Sequence, residues 1–445
     1  MSEGTELVGG GAIHASPTKD FFVTMITRDI PLTDCIFDLI DNSIDAARRQ
    51  QKKAGTNSFN GFHAHIEFDK KQFTLRDNCG GISLSDAIDH AFHFGRKRSA
   101  SQGEGIKSIG LYGIGMKRAI FKIGRHAIVE SETTEDSFNV IVDVSEWEKD
   151  DDDWDFKYTD RDKGGAPGTN VVISELQATA ANTFEDPTFK TELLKLLARD
   201  YAFVIANGFE IKVKGTLVPK YSYELKQSAE ITPALVEYID ENVAIKIVAG
   251  LVDELPDEIP EELRPGKVDR YGWFVVCNDR VVMAADKSDQ TVWGDDDFKI
   301  WHPQYNGFAG FIFFTSDDAK KLPWTTTKRE VDISDPIYRR AVGRMKEITS
   351  DFIEYTNRRK NDLDAAKQVE RAAAPVNIAS LFEVKPMAFP LMQAKAPKRD
   401  MITISYSKPR KDVREVAAAL GQPTMSASEV GRETFDYFRR VEMGK

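Results

Sequence analysis

The chain has 445 residues, 41% of them hydrophobic, with a formal net charge of −11. That length supports two or three domains with their own cores, and the acidic balance argues against a large basic groove, so nucleic acid is a permitted partner and not an implied one. Cys35, Cys79 and Cys277 lie far apart in sequence and suggest neither a disulfide framework nor a CxxC metal site; no apolar run approaches the roughly 20 residues that cross a bilayer and the glycine-bearing start has no signal-peptide core, so no membrane is implied and the expected location is a reducing cytoplasm.

The first strong element is CIFDLIDNSIDAARRQ, helical by pattern, with Asp38, Asn42, Asp45 and Arg49 on one face and Ile36, Leu39, Ile40 and Ala47 opposite. Such a stripe is either the solvated side of a surface helix or a set of groups facing one cavity. In the second case an amide oxygen at Asn42 suits Mg²⁺ carrying phosphates, and the Asp38 carboxylate one turn earlier suits an attacking water.

Next, QFTLR alternates as a strand, and Asp77-Asn78-Cys79-Gly80-Gly81-Ile82 turns into the helical pattern SLSDAIDHAF. A carboxylate at a strand end can accept from an exocyclic amino group such as that of adenine, and a nearby glycine admits a flat base; an ordinary Asp/Gly turn is the alternative. His63/His65 and His90/His93 share faces without a third ligand, which favours packing over metal binding.

FGRKRSASQGEG is polar and glycine-bearing, as a lid is. GLYGIGMKRAIFKIG then places Gly110, Gly113 and Gly115 ahead of an amphipathic helix, with Lys117 and Arg118 to add charge. No GK[ST] follows, so this is not the Walker pattern. The acidic run EKDDDDWD (148–155) has no glycine turn to arrange its carboxylates and reads as a solvated loop.

From 216 to 334 strand signals dominate: YGWFVVC and RVVM flank Asn278-Asp279 as a hairpin, and FAGFIFFT reads as a buried strand. Ile337, Ala341, Met345, Ile348, Phe352 and Tyr355 recur at helical spacing. Pro375, Pro386, Pro390 and Pro397 mark residues 373–400 as a linker or extended docking segment. A tail module follows: ITISY as a strand, 410–420 as a helix ending at Gly421, and Ser426 with Glu429 as the capping box of a last helix that carries ETFDYF.

The order Asp38/Asn42, Asp77/Gly81, Gly110/Gly113/Gly115, then Gly168-Thr169 before NVVIS resembles the GHKL superfamily of ATPases. That group includes the gyrase B subunit, heat-shock chaperones, histidine kinases and MutL; the resemblance covers residues 30–175 and is nearest in style to MORC and MutL proteins. It implies an α+β chain, with a Bergerat-type ATP-binding α/β sandwich over 1–215 (residues 1–20 a candidate dimer strap) and a transducer-like α/β domain over 216–334. A long amphipathic helix (335–372), a linker (373–400) and a small interaction module (401–445) complete the expected organisation.

By the same resemblance Asn42 is the magnesium ligand, Asp45 the acid behind it, and Asp38 the general base where the family usually has Glu. Asp77 binds the adenine amino group with Thr169 assisting through water, and Gly81 makes room for the base. Gly110, Gly113 and Gly115 form the lid-to-helix glycines, with Lys117 near the phosphates. In LPWTTTKREVD, Lys328 matches the transducer lysine that reaches the γ-phosphate, with Arg329 as rival. The cofactors implied are ATP and Mg²⁺. The function implied is a slow ATPase whose nucleotide state controls closure of the 95–115 lid and N-terminal homodimerisation; the 401–445 module, with KPRK at 408–411, reads either as a site for a protein partner or nucleic acid or as packing against the rest of the chain. The alternative is a nucleotide-gated scaffold with little hydrolysis, acting in DNA repair or defence complexes.

Overall fold

The computed structural model describes residues 16–95, 106–110, 113–255, 268–295, 298–382, 404 and 406–444. Most of the expected lid, the expected strap except for residues 16–20, and most of ITISY lie outside the described residues.

The chain opens with α1 (Lys19–Thr27) and α2 (Leu32–Ala54), then lays down β1 (His63–Phe68) and β2 (Gln72–Asp77). After a one-turn helix α3 (Leu84–Asp86), extended by a π-turn, come α4 (Gly115–Ile123), β3 (Gly124–Glu132), β4 (Ser137–Asp143), α5 (Val144–Trp147), β5 (Lys157–Asp160) and β6 (Gly168–Leu176). Three helices follow, α6 (Ala178–Glu185), α7 (Phe189–Asp200) and α8 (Ala202–Ala206), and the strands β7 (Glu210–Val213) and β8 (Thr216–Leu217) complete an eight-stranded sheet in the order β5-β4-β3-β6-β2-β1-β7-β8. Only the β1–β7 pair in it is parallel. The sheet therefore runs through Leu217, just past the expected boundary at 215.

Alternation sets the inner face of this sheet: Phe73, Leu75 and Asp77 of β2 and Val171 and Ile173 of β6 are buried. α2 ends on Gly55, whose φ of 65° is the left-handed conformation a helix stop favours. Its apolar residues Ile36, Leu39, Ile40 and Ala47 are buried as expected, but Asp38 and Asp45 on the opposite face are buried too. The polar stripe is therefore half covered: its two acids are buried, while Asn42 and Arg49 are exposed.

A second, five-stranded sheet has the order β10-β11-β14-β12-β13. Its strands are β10 (Ala234–Asp240), β11 (Val243–Leu251), β12 (Gly272–Cys277), β13 (Arg280–Asp286) and β14 (Phe308–Thr315). Every residue of β12 is buried, as a continuous apolar run requires when both faces are covered. Asn278 (φ 45°) and Asp279 (φ 66°) form the expected hairpin turn. α9 (Pro336–Arg359) starts on Asp335, whose carboxylate caps the amides of Ile337 and Tyr338, and lays the expected apolar stripe on this sheet; α10 (Leu363–Ala372) follows.

Part of the expected linker is ordered structure: β15 (Ala374–Asn377) pairs antiparallel with β9 (Glu224–Gln227), and α11 (Ile378–Leu381) buries Ile378 and Leu381. Pro375 is accommodated because β15 is an edge strand with one neighbour. In the tail, α12 (Arg410–Ala419) ends before Gly421 (φ 83°), and α13 (Ala427–Val441) carries the full Ser426/Glu429 capping box. Phe435, Tyr437 and Phe438 of α13 are exposed.

The acidic run is not merely solvated. Lys19, fully buried, donates from Nζ to the carbonyls of Trp147 (2.6 Å) and Asp153, lies 4.3 Å over the Trp147 ring, and has its amide on Asp151. The run's aspartates are otherwise exposed, and Lys19 pins its backbone to α1.

Candidate active site

Asp77 closes β2 on the inner face of the first sheet, 7% exposed. Its Oδ2 accepts from the Ser43 hydroxyl of α2 at 2.6 Å, and its Oδ1 from the amides of Cys79 (2.9 Å) and Thr169 (3.1 Å). Burial pushes this carboxyl above its usual range, against those three donors. An ionised carboxylate offers about four acceptor positions, so three donors leave room for one more. Thr169, expected to assist through water, meets Asp77 through its backbone amide.

The turn that follows depends on two glycines. Gly80 (φ 95°) and Gly81 (φ 71°) both take left-handed backbone. A Cβ at Gly81 would stand 2.2 Å from the Glu132 carbonyl oxygen. Cys79 takes no left-handed backbone, so the turn requires glycine at 80 and 81 and not at 79.

Asn42 is exposed on α2, on the side towards the glycine segment: a Cβ on Gly110 would come within 3.6 Å of Asn42 Oδ1 and 3.1 Å of Asp45 Oδ2. Asp45 clasps that segment, accepting from the amides of Ile109 (2.8 Å) and Gly110 (2.6 Å) and from the Ser108 hydroxyl (2.7 Å). Gly113 has φ 68°, and Gly115 opens α4 where a Cβ would crowd the Asp38 carboxyl at 3.0 Å. Lys117 Nζ donates to the carbonyls of Ala91 (2.7 Å) and Gly113, tying the π-turn to the glycine segment.

Asp38 lies under two cations from different parts of the chain. Arg118 of α4 bonds Oδ2 through Nε (3.1 Å) and Nη2, and Lys328 Nζ donates to Oδ1 at 3.1 Å. Lys328 also donates to Asp41 Oδ2 at 2.9 Å. Burial would lower the Lys328 pKa, but Asp41 and Asp38 outweigh it and hold it at about 12. Burial would likewise raise Asp41, and Lys328 and Arg280 overcome it, holding that carboxyl below its usual range.

Sequence reasoning did not find the rest of this network. Asp41 Oδ1 accepts from Tyr201 (2.8 Å) and lies 3.3 Å from Arg280 Nε; Arg280 also faces Asp200 (3.6 Å). Arg329, the rival to Lys328, is committed to Asp34 (3.1 Å) and Asp200. Arg280 and Arg329 each sit 4.9 Å from the Phe37 ring centre. The sequence signal was Asp41 itself, an acid three residues after Asp38 and four before Asp45, hence beside the polar stripe on α2.

The hairpin turn of the second sheet completes the junction. Arg48 of α2 donates to the Asn278 carbonyl (2.7 Å) and Asp279 (3.0 Å), while the Asn278 amide donates to the Ser108 carbonyl (2.9 Å). The glycine segment and α2 thus both touch β12–β13.

A mixed sheet whose strand-end carboxylate faces a glycine turn, beside a helix bearing Asn42 and a glycine segment leading into α4, is the architecture of a nucleotide-binding domain of the Bergerat type. Residues 30–180 match the family described as histidine kinase-, DNA gyrase B-, and HSP90-like ATPase, so this part of the chain is an ATPase domain of the GHKL superfamily. No curated protein matches the chain. No helix among the described residues is long and apolar enough to cross a membrane.

Proposed function

We propose that the chain is a Mg²⁺-dependent ATPase of slow turnover, in which Asp77 receives the adenine amino group and Asp38 is the general base. The reading rests above all on Asp77: a buried strand-end carboxylate with three donors, one acceptor position to spare and a glycine turn beside it. Mg²⁺ fits Asn42, an exposed neutral oxygen donor facing a glycine that leaves space, and when bound it would neutralise phosphate charge. Asp45 holds the glycine segment in register with α2, and Gly110, Gly113 and Gly115 keep Cβ atoms out of the space beside Asn42 and Asp38. Lys328 would exchange Asp38 for the terminal phosphate and so report its presence to the second domain. Closure of segment 95–115 and N-terminal dimerisation complete the proposed cycle in a cytoplasmic setting.

The second reading, a nucleotide-gated scaffold with little hydrolysis, is favoured by one observation: both oxygens of Asp38 are engaged by cations. Phosphate release from Mg·ATP separates the two. Turnover lost in both Asn42→Ala and Asp38→Ala supports the ATPase; no turnover in the wild type, with binding intact, supports the scaffold.

A further inference from the structure

We propose that Asp41 is the positioning residue of Lys328: it supplies the nucleotide-free berth of that ammonium, and the strength of the berth sets how well the site tells a nucleoside triphosphate from a diphosphate. This rests on the reading of the site as an ATP site.

The berth is built so that its occupant can leave. Asp41 Oδ1 is held by Tyr201 and faced by Arg280, while Oδ2 is the oxygen given to Lys328. The Lys328, Asp38 and Asp41 side chains are 6%, 4% and 1% exposed. A buried carboxylate stripped of its partner is strongly destabilising. Here neither would be stripped, because Arg280 stays beside Asp41 and Arg118 stays on Asp38. Departure of Lys328 would uncover Asp38 Oδ1, the oxygen a water needs.

The backbone that presents Lys328 is strained at that one residue. Lys328 has φ 56°, unfavourable for a side chain with a Cβ, in a turn closed by its amide on the Thr325 carbonyl. The next residue, Arg329, is anchored by Asp34 and Asp200.

A triphosphate that recruits Lys328 must break the Lys328–Asp41 pair, and a diphosphate with no terminal group to recruit it leaves the pair intact. Asp41 therefore weakens triphosphate binding selectively.

The test is equilibrium titration with the Mg²⁺ complexes of ADP and of a non-hydrolysable imido analogue of ATP. Asp41→Asn should tighten the triphosphate analogue on the order of tenfold and move ADP by less than about twofold. In a Lys328→Met background the same substitution should have no selective effect. Equal shifts for both nucleotides would reduce Asp41 to a structural role. A selective shift that persists without Lys328 would assign the effect to bulk charge, and either result overturns the proposal. Should Asp41→Asn fail to fold by thermal melting, Asp41→Ser carries the same expectations. A wild type that binds neither nucleotide defeats the ATP reading itself, whereas binding with no selective effect of Asp41 defeats this inference alone.

Discussion

A methyl group at position 81 would meet the Glu132 carbonyl at 2.2 Å in a backbone with φ 71°. Gly81→Ala should therefore lower the melting temperature and abolish nucleotide binding together, since the left-handed backbone alone costs roughly 1–2 kcal/mol; a variant that melts and binds like the wild type would remove Gly81 from the site. Two rings on β1 give the chain a pH dependence. His63 and His65 stack at 4.3 Å; burial and the charge of Lys212 hold both below the ordinary histidine value, and His65 also feels His63. The unfolded chain thus binds more protons than the fold below about pH 6.5. Stability is complete above that pH and falls as pH drops through the lowered folded values. Melting at pH 7.5 and pH 5 should show a smaller loss for His63→Phe/His65→Phe than for the wild type.

At the scale of elements, α2 shows what a sequence carries and what it withholds. Its helical period, the Asn42 face and the turn after β2 were legible because each is encoded within a few residues, as were the β12–β13 hairpin and the Ser426 cap. The partners of Asp41 were not, because Tyr201, Arg280 and Lys328 stand 160 and more residues away in sequence and only the packed fold selects them. Lys117 and Arg118 were expected to add charge beside the glycine segment; their bonds to Ala91, Gly113 and Asp38 come from tertiary contacts that spacing does not show. β15 was hidden by its proline, which an edge strand tolerates. Arg280→Met should lower stability by about 1–3 kcal/mol in urea unfolding, since it removes the buried cation shared by Asp41 and Asp200 while Lys328 and Arg329 remain beside them. Lys70→Ala, which removes an exposed pair with Glu185, should leave the midpoint unmoved; equal effects would deny the network its structural weight.

Across the whole molecule, α2 and the glycine segment join the first sheet to the second. Arg48, Asn278 and Lys328 join α2 and the glycine segment to the second sheet, so a change at Asn42 or Asp38 has a short route to β12–β13. If that junction drives assembly, light scattering should give a dimer with the Mg²⁺ complex of the imido ATP analogue and a smaller species without it, and Asn42→Ala should stay small in both. The account stands first on the proposal that Asp77 binds ATP. Calorimetric titration of Mg·ATP into the wild type and Asp77→Asn tests this most directly: the account predicts binding by the wild type and its loss in a folded Asp77→Asn protein, and a wild type that takes up no ATP, or a variant that binds it equally well, would contradict it.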